Sequence, residues 1–114
     1  MDRQTTVQTL KDRVEQFVRE REWEQFHTPK NLTVAVAIEA AELMEIFQWA
    51  TAEQSVEQSS TEKGRERLEE ELADVLIFCL ALANRIGIDL SNAVRRKVER
   101  NADKYPADNF RGRY

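Results

Sequence analysis

The sequence predicts an all-α fold, a four-helix bundle. Three observations carry that expectation. Only three Gly and two Pro occur in 114 residues rich in Ala, Leu, Glu and Arg, a mix that favours helices and leaves few hairpin turns. Apolar residues recur at three- and four-residue steps along most of the chain. Pro29, Gly87 and Pro106 punctuate those runs at helical spacing.

The first helix is expected from about Thr6 to Glu22, where Val7, Leu10, Val14, Phe17 and Val18 mark one face. The stretch from Trp23 to Lys30 breaks the pattern, and Pro29 suits a loop before a new helix. A second helix is expected from about Asn31, as N-cap, to Ala50. It is apolar nearly all round, with Leu32, Val34, Val36, Ile38, Leu43, Met44, Ile46, Phe47 and Trp49, as in a helix inside a bundle or an oligomer. Residues 51–60 are polar and read as a loop.

A third helix should start near Thr61, where Ser59 and Glu62 have capping-box spacing. Leu68, Leu72, Val75, Cys79, Leu82 and Ile86 then step by four and three, and Gly87 closes the helix. Asp89 can cap a fourth helix through Leu90, Val94 and Val98 to about Asp103, and Pro106 stops it. No repeat or second domain is visible. The chain therefore reads as one domain over residues 1–114, with its core at about 6–106 and a polar tail at 107–114. Helices two and three carry more apolar surface than one small bundle covers, which predicts association into a dimer or larger homo-oligomer.

Composition excludes several function classes. A net charge of −4 argues against a nucleic acid polymer as partner. The longest uncharged apolar run, Val75 to Ala83, is too short to span a membrane, and the N-terminus lacks the apolar stretch of a signal peptide. Cys79 is the one cysteine, so no intrachain disulfide forms. A cytoplasmic protein is expected.

The informative feature is acid inside apolar helix. Glu39, Glu42 and Glu45 interrupt the second helix every three residues, and Glu71 and Asp74 repeat the spacing in the third. Residues three apart share a helix face, so each pair presents two carboxylates to one place. Asp is a poor helix-interior residue, and no charge follows Asp74 until Arg85. Carboxylates in such surroundings shift their pKa or find cations. A hard divalent cation between two helices resolves both the burial and the repulsion. The lone histidine, His27, lies outside these helices, so all-oxygen ligation points to Mg²⁺, with Mn²⁺ as the other fit. Such ions mostly serve phosphate chemistry. The competing reading is a solvated acidic face, which suits Glu45, Glu69 and Glu70 better than Glu39, Glu42 and Asp74.

That clue selects further candidates. Residues 95–104 hold five basic side chains, Arg95, Arg96, Lys97, Arg100 and Lys104, against Glu99 and Asp103. Trp23, Phe26, His27 and Trp49 are able to stack on a base, or else belong to a core or an interface.

Glu39-Ala-Ala-Glu42 with Glu71-Leu-Ala-Asp74 resembles the E-x-x-E…E-x-x-D signature of MazG-like all-α nucleoside triphosphate pyrophosphohydrolases. Trp23-Glu24-Gln25-Phe26-His27, Pro29-Lys30-Asn31-Leu32, Phe47-Gln48-Trp49 and Lys104-Tyr105-Pro106 are similar to its dCTP pyrophosphatase branch, over roughly residues 10 to 107. The resemblance implies a MazG-like bundle that hydrolyses a nucleoside triphosphate to the monophosphate and pyrophosphate. It implies Mg²⁺ on Glu39, Glu42, Glu71 and Asp74, which are also the catalytic set. It implies substrate contacts from Trp23, His27, Trp49, Phe78, Asn101 and Lys104, in sites shared between subunits. Phe78 stands where some relatives have Tyr. The substrate expected is dCTP or a modified dNTP, in pool cleansing. The competing substrates are dUTP and phosphoribosyl-ATP, and the competing class is a non-enzymatic helical interaction module.

Overall fold

A computed structural model describes residues 1–113. The described residues form helices with no strand among them, so the all-α expectation holds. Helix α1 spans Val7–Glu20, and Thr6 caps it by accepting from the Thr9 N–H at 3.0 Å. Its end is a Schellman turn. Trp23 N–H donates to the Val18 carbonyl at 3.1 Å and Glu22 N–H to Arg19 at 3.0 Å. Glu22 takes the left-handed conformation there (φ 54°), a place usually left to Gly. The turn folds Trp23 back so that its ring meets Phe17 edge-on, centroids 5.7 Å apart. A 3-10 turn follows at Glu24–Phe26.

Helix α2 spans Pro29–Glu45. Thr28, not Asn31, is the N-cap: its hydroxyl accepts from the Asn31 N–H at 3.1 Å, and Pro29 takes the first helical position. The Asn31 amide instead donates to the Phe26 carbonyl at 3.0 Å. The helix also stops at Glu45, short of Ala50, and continues as turns.

The expected loop at 51–60 is a helix, α3, Ala52–Ser60. A full capping box starts it, Thr51 with Gln54. Its serines do not compete with the helix, because their hydroxyls bond back to carbonyls of the previous turn. Ser55 bonds Ala52, Ser59 bonds Ser55 and Ser60 bonds Val56. Ser59 is therefore no cap. Thr61 caps the long α4, Glu62–Ile86, by accepting from Gly64 N–H at 3.0 Å. Gly64 is needed at this junction: a Cβ there would lie 1.9 Å from the Gln58 carbonyl oxygen. Helix α4 ends as expected at Gly87, left-handed at φ 71°. Asp89 caps α5, Leu90–Lys104, as expected. The expected polar tail holds one short helix, α6, Ala107–Phe110.

Helix α4 is the axis, with α1, α2 and α3 packed on it. Val14 and Val18 of α1, Leu32 of α2 and Leu80 and Ala81 of α4 make the core, with Phe78, Leu82 and Leu90 against it. Two bonds tie α1 to the end of α4. Asn84 donates to the Lys11 carbonyl at 2.9 Å, and Lys11 donates to the Ile88 carbonyl at 2.8 Å. Helix α5 touches this layer little beyond its first turn, and none of its residues is buried. The radius of gyration is 17.0 Å, against about 13 Å for a close-packed chain of this length. The excess apolar surface expected of α2 is present, since Val34, Ile38 and Met44 are exposed.

Candidate metal centre and adjoining groove

The acidic cluster forms where α2 packs on α4. Glu39 and Glu42 lie one turn apart on α2, and Glu71 stands opposite on α4. One carboxylate oxygen from each lies within 4.8 Å of the others. Asp74, one turn beyond Glu71, stands outside that trio, yet its charge acts on both Glu39 and Glu71. Glu45 is exposed and no part of the group.

Electrostatics mark the spot as unfavourable for bare carboxylates. Burial raises the Glu39 carboxyl above its ordinary range, reinforced by a hydrogen bond with Glu42 and the charges of Glu42, Asp74 and Glu71. Burial likewise raises Glu71, with the charges of Glu42 and Asp74 adding to it and Arg67 opposing. Oε2 of Glu39 and Oε2 of Glu71 are both buried without a hydrogen-bond partner. Two orphaned anionic oxygens, hard donors only and no imidazole nearby describe a site that fits a divalent cation of the Mg²⁺ type.

A groove of about 620 Å³ runs between α1 and α4, and none of the four carboxylates lines it. Leu10, Val14 and Phe17 wall one side and Leu76, Ile77 and Phe78 the other, with Trp23 and His27 at the turn. Its lining is mostly apolar, with Arg13, Glu20 and Arg21 supplying charge. Arg21 sits 3.7 Å over the Phe17 ring, which leaves its planar group stacked. Phe78 lies one turn after Asp74 on α4 and lines the groove. Such a space accepts a flat heteroaromatic ring.

The structure thus brings together Glu39, Glu42, Glu71 and Asp74, and separately Trp23, His27 and Phe78. Three other expected residues stand apart from the groove. Trp49 is 90% exposed after the end of α2. Asn101 and Lys104 are exposed on α5, where Lys104 lies 5.3 Å over the Tyr105 ring. One residue went unselected in the sequence. Glu24 lines a smaller cleft of about 190 Å³ with His27, and its Oε1 is buried without a partner. The signal available was an acid three residues before the lone histidine.

Comparisons with known proteins bear on the family and the fold. A family model for the MazG-like family matches residues 34–113. dCTP pyrophosphatase 1 of Rattus norvegicus is 42% identical over 107 residues, covering 94% of this chain and 63% of that protein. The Homo sapiens protein of the same name is 43% identical over 102 residues, covering 90% and 60%. The chain thus spans somewhat under two thirds of the length of these relatives. A crystal structure of a pyrophosphatase from Archaeoglobus fulgidus superposes with a TM-score of 0.77 at 46% identity, covering 83% of this chain and 87% of that one. No helix among the described residues is long and apolar enough to cross a membrane.

Proposed function

Because the chain belongs to the MazG-like family, we propose that it is a Mg²⁺-dependent nucleoside triphosphate pyrophosphohydrolase acting on dCTP or a modified dNTP. The products are the monophosphate and pyrophosphate, and the role is nucleotide pool cleansing in the cytoplasm. The observation that carries the reading is the carboxylate cluster at the α2–α4 contact, with its two orphaned oxygens.

Glu39, Glu42, Glu71 and Asp74 hold the cation, Mg²⁺ first and Mn²⁺ as the alternative. When bound, it supplies neutralisation of the triphosphate oxygens and acidification of water. The chain's own residues do the rest. A carboxylate of the cluster, Glu39 or Glu42, with Glu45 one turn further along, takes the proton of the attacking water. Trp23, His27 and Phe78 hold the base in the groove, whose apolar walls exclude water from it. Trp49, Asn101 and Lys104 complete the site from a second copy of the chain, with Lys104 and Asn101 on the phosphates. Each chain is a single MazG-like domain, a four-helix bundle that assembles as a homodimer or homotetramer. Exposed Val94 and Val98 on α5 support that assembly.

The test is purified protein with Mg²⁺ against canonical and modified dNTPs, dUTP and phosphoribosyl-ATP, with pyrophosphate and monophosphate measured. The expected result is cleavage of dCTP or a modified dCTP, abolished by EDTA. Preference for dUTP or phosphoribosyl-ATP moves the substrate, and no cleavage of any of them overturns the reading.

A further inference from the structure

Glu24 has an oxygen buried without a partner, and the acidic cluster does not account for it. A buried carboxylate oxygen left unpaired is costly, so it marks a bond still to be made. The cleft around it offers few free donors. Arg19 turns its Nε–H to Glu15 at 2.9 Å on the exposed side of α1, and the Asn84 amide donates to the Lys11 carbonyl at 2.9 Å. Arg85 lines the cleft from the exposed end of α4. His27 remains, half-buried and in both cavities.

Local geometry favours His27 over Arg85. Glu24 opens the 3-10 turn and His27 follows it, with His27 N–H donating to the Glu24 carbonyl at 3.0 Å. A 3-10 turn has three residues per turn, so side chains three apart eclipse. Glu24 and His27 therefore stand on one side of the turn, and both line the same cleft. Catalytic hydrogen bonds are often long before substrate arrives.

We propose that Glu24 is a positioning residue that accepts a hydrogen bond from one ring nitrogen of His27 and turns the other nitrogen into the groove. A histidine so held keeps one tautomer and presents one fixed hydrogen-bonding edge. In the groove that edge meets the polar rim of the base, which the apolar walls cannot read. The recognition half of the inference rests on the nucleotide reading above; the pairing half does not.

His27 is the one histidine, so its ring nitrogens are unambiguous in ¹⁵N NMR. At a pH where the ring is neutral, the wild type is expected to show a single tautomer, and Glu24→Met, which has no oxygen acceptor, a mixture of the two. Glu24→Met keeps the side-chain length, and circular dichroism reports its fold. With dCTP and Mg²⁺, Glu24→Met is expected to raise KM about tenfold with kcat changed less than twofold. A merely structural role would lower kcat through loss of folded protein and leave KM in place. A mixed tautomer in the wild type overturns the pairing without any variant, and so does a single tautomer in a folded Glu24→Met. An altered tautomer with unchanged KM overturns the recognition role. If the wild type cleaves no nucleotide, the functional reading fails and the NMR result still decides the Glu24–His27 pair.

Discussion

The two ends of the proposed site are built differently. At the metal end, α2 and α4 pack along each other and bring Glu39, Glu42 and Glu71 within 4.8 Å inside one chain. At the phosphate end, Asn101 and Lys104 ride on α5, exposed and standing off the layer. Val94 and Val98 on the same helix are 59% and 61% exposed. The metal end buries charge that calls for a cation, and the phosphate end exposes apolar surface that calls for protein. On the function proposed above, one chain carries the cluster but only part of the phosphate cradle, and a second copy is the economical way to close the latter.

The largest effect should come from breaking the metal end. Glu71→Gln or Asp74→Asn removes a charge from the cluster while keeping its shape. Pyrophosphate release should fall by roughly 10²–10³-fold, since losing one preorganised group at a reacting centre costs on that scale. A folded variant with near-normal turnover would dissolve the distinction between the two ends.

Breaking the phosphate end should act through assembly. Val94→Glu with Val98→Glu puts two charges on the exposed face of α5 without touching the carboxylates. Light scattering should show a smaller species than the wild type, and activity should fall by about tenfold or more, because a charge left unpaired in an apolar contact is costly. Wild type already monomeric and active would refute the shared cradle. Lys104→Ala tests the same end more gently. It should raise KM by about tenfold with a smaller change in kcat, as loss of one charge-assisted bond to phosphate does.

The same contrast explains what could be read from sequence. Gly87 and Asp89 announced the α4–α5 junction because αL backbone and an N-cap each demand a particular residue. Glu39, Glu42, Glu71 and Asp74 stood out because acid at a shared helix face in apolar surroundings is rare. Helix α3 was hidden because its stability does not lie in periodicity. Its serines bond to their own helix, and Gly64 lets α4 pass beneath the Gln58 carbonyl. Asn31 has the better intrinsic preference as a cap than Thr28, but Pro29 at the first helical position fixes the start three residues earlier. Trp49, Asn101 and Lys104 were found by motif, but no single-chain geometry gathers them. Glu24 had no periodic signal, and only burial of its oxygen singles it out.

The smallest effect sharpens the comparison by sign. Glu39 has a raised carboxyl in the folded protein, first through burial and then through its acidic neighbours. The folded state therefore binds more protons than the unfolded state between the ordinary carboxylate range and the raised value. Stability from this group falls as pH rises through that window. Glu39→Gln removes the penalty. In EDTA at pH 7 its Tm should exceed the wild type's by a few degrees at most, and the difference should vanish below pH 4, where the wild-type carboxyl is protonated. Saturating Mg²⁺ should invert the order, because the cation stabilises the intact cluster by binding the folded state alone. Lys104→Ala, on exposed α5, should shift Tm little and by the same amount with or without Mg²⁺. A Glu39→Gln protein less stable than wild type in EDTA at pH 7 would mean that the bare cluster is not strained. The case for a cation there would then have to rest on activity alone.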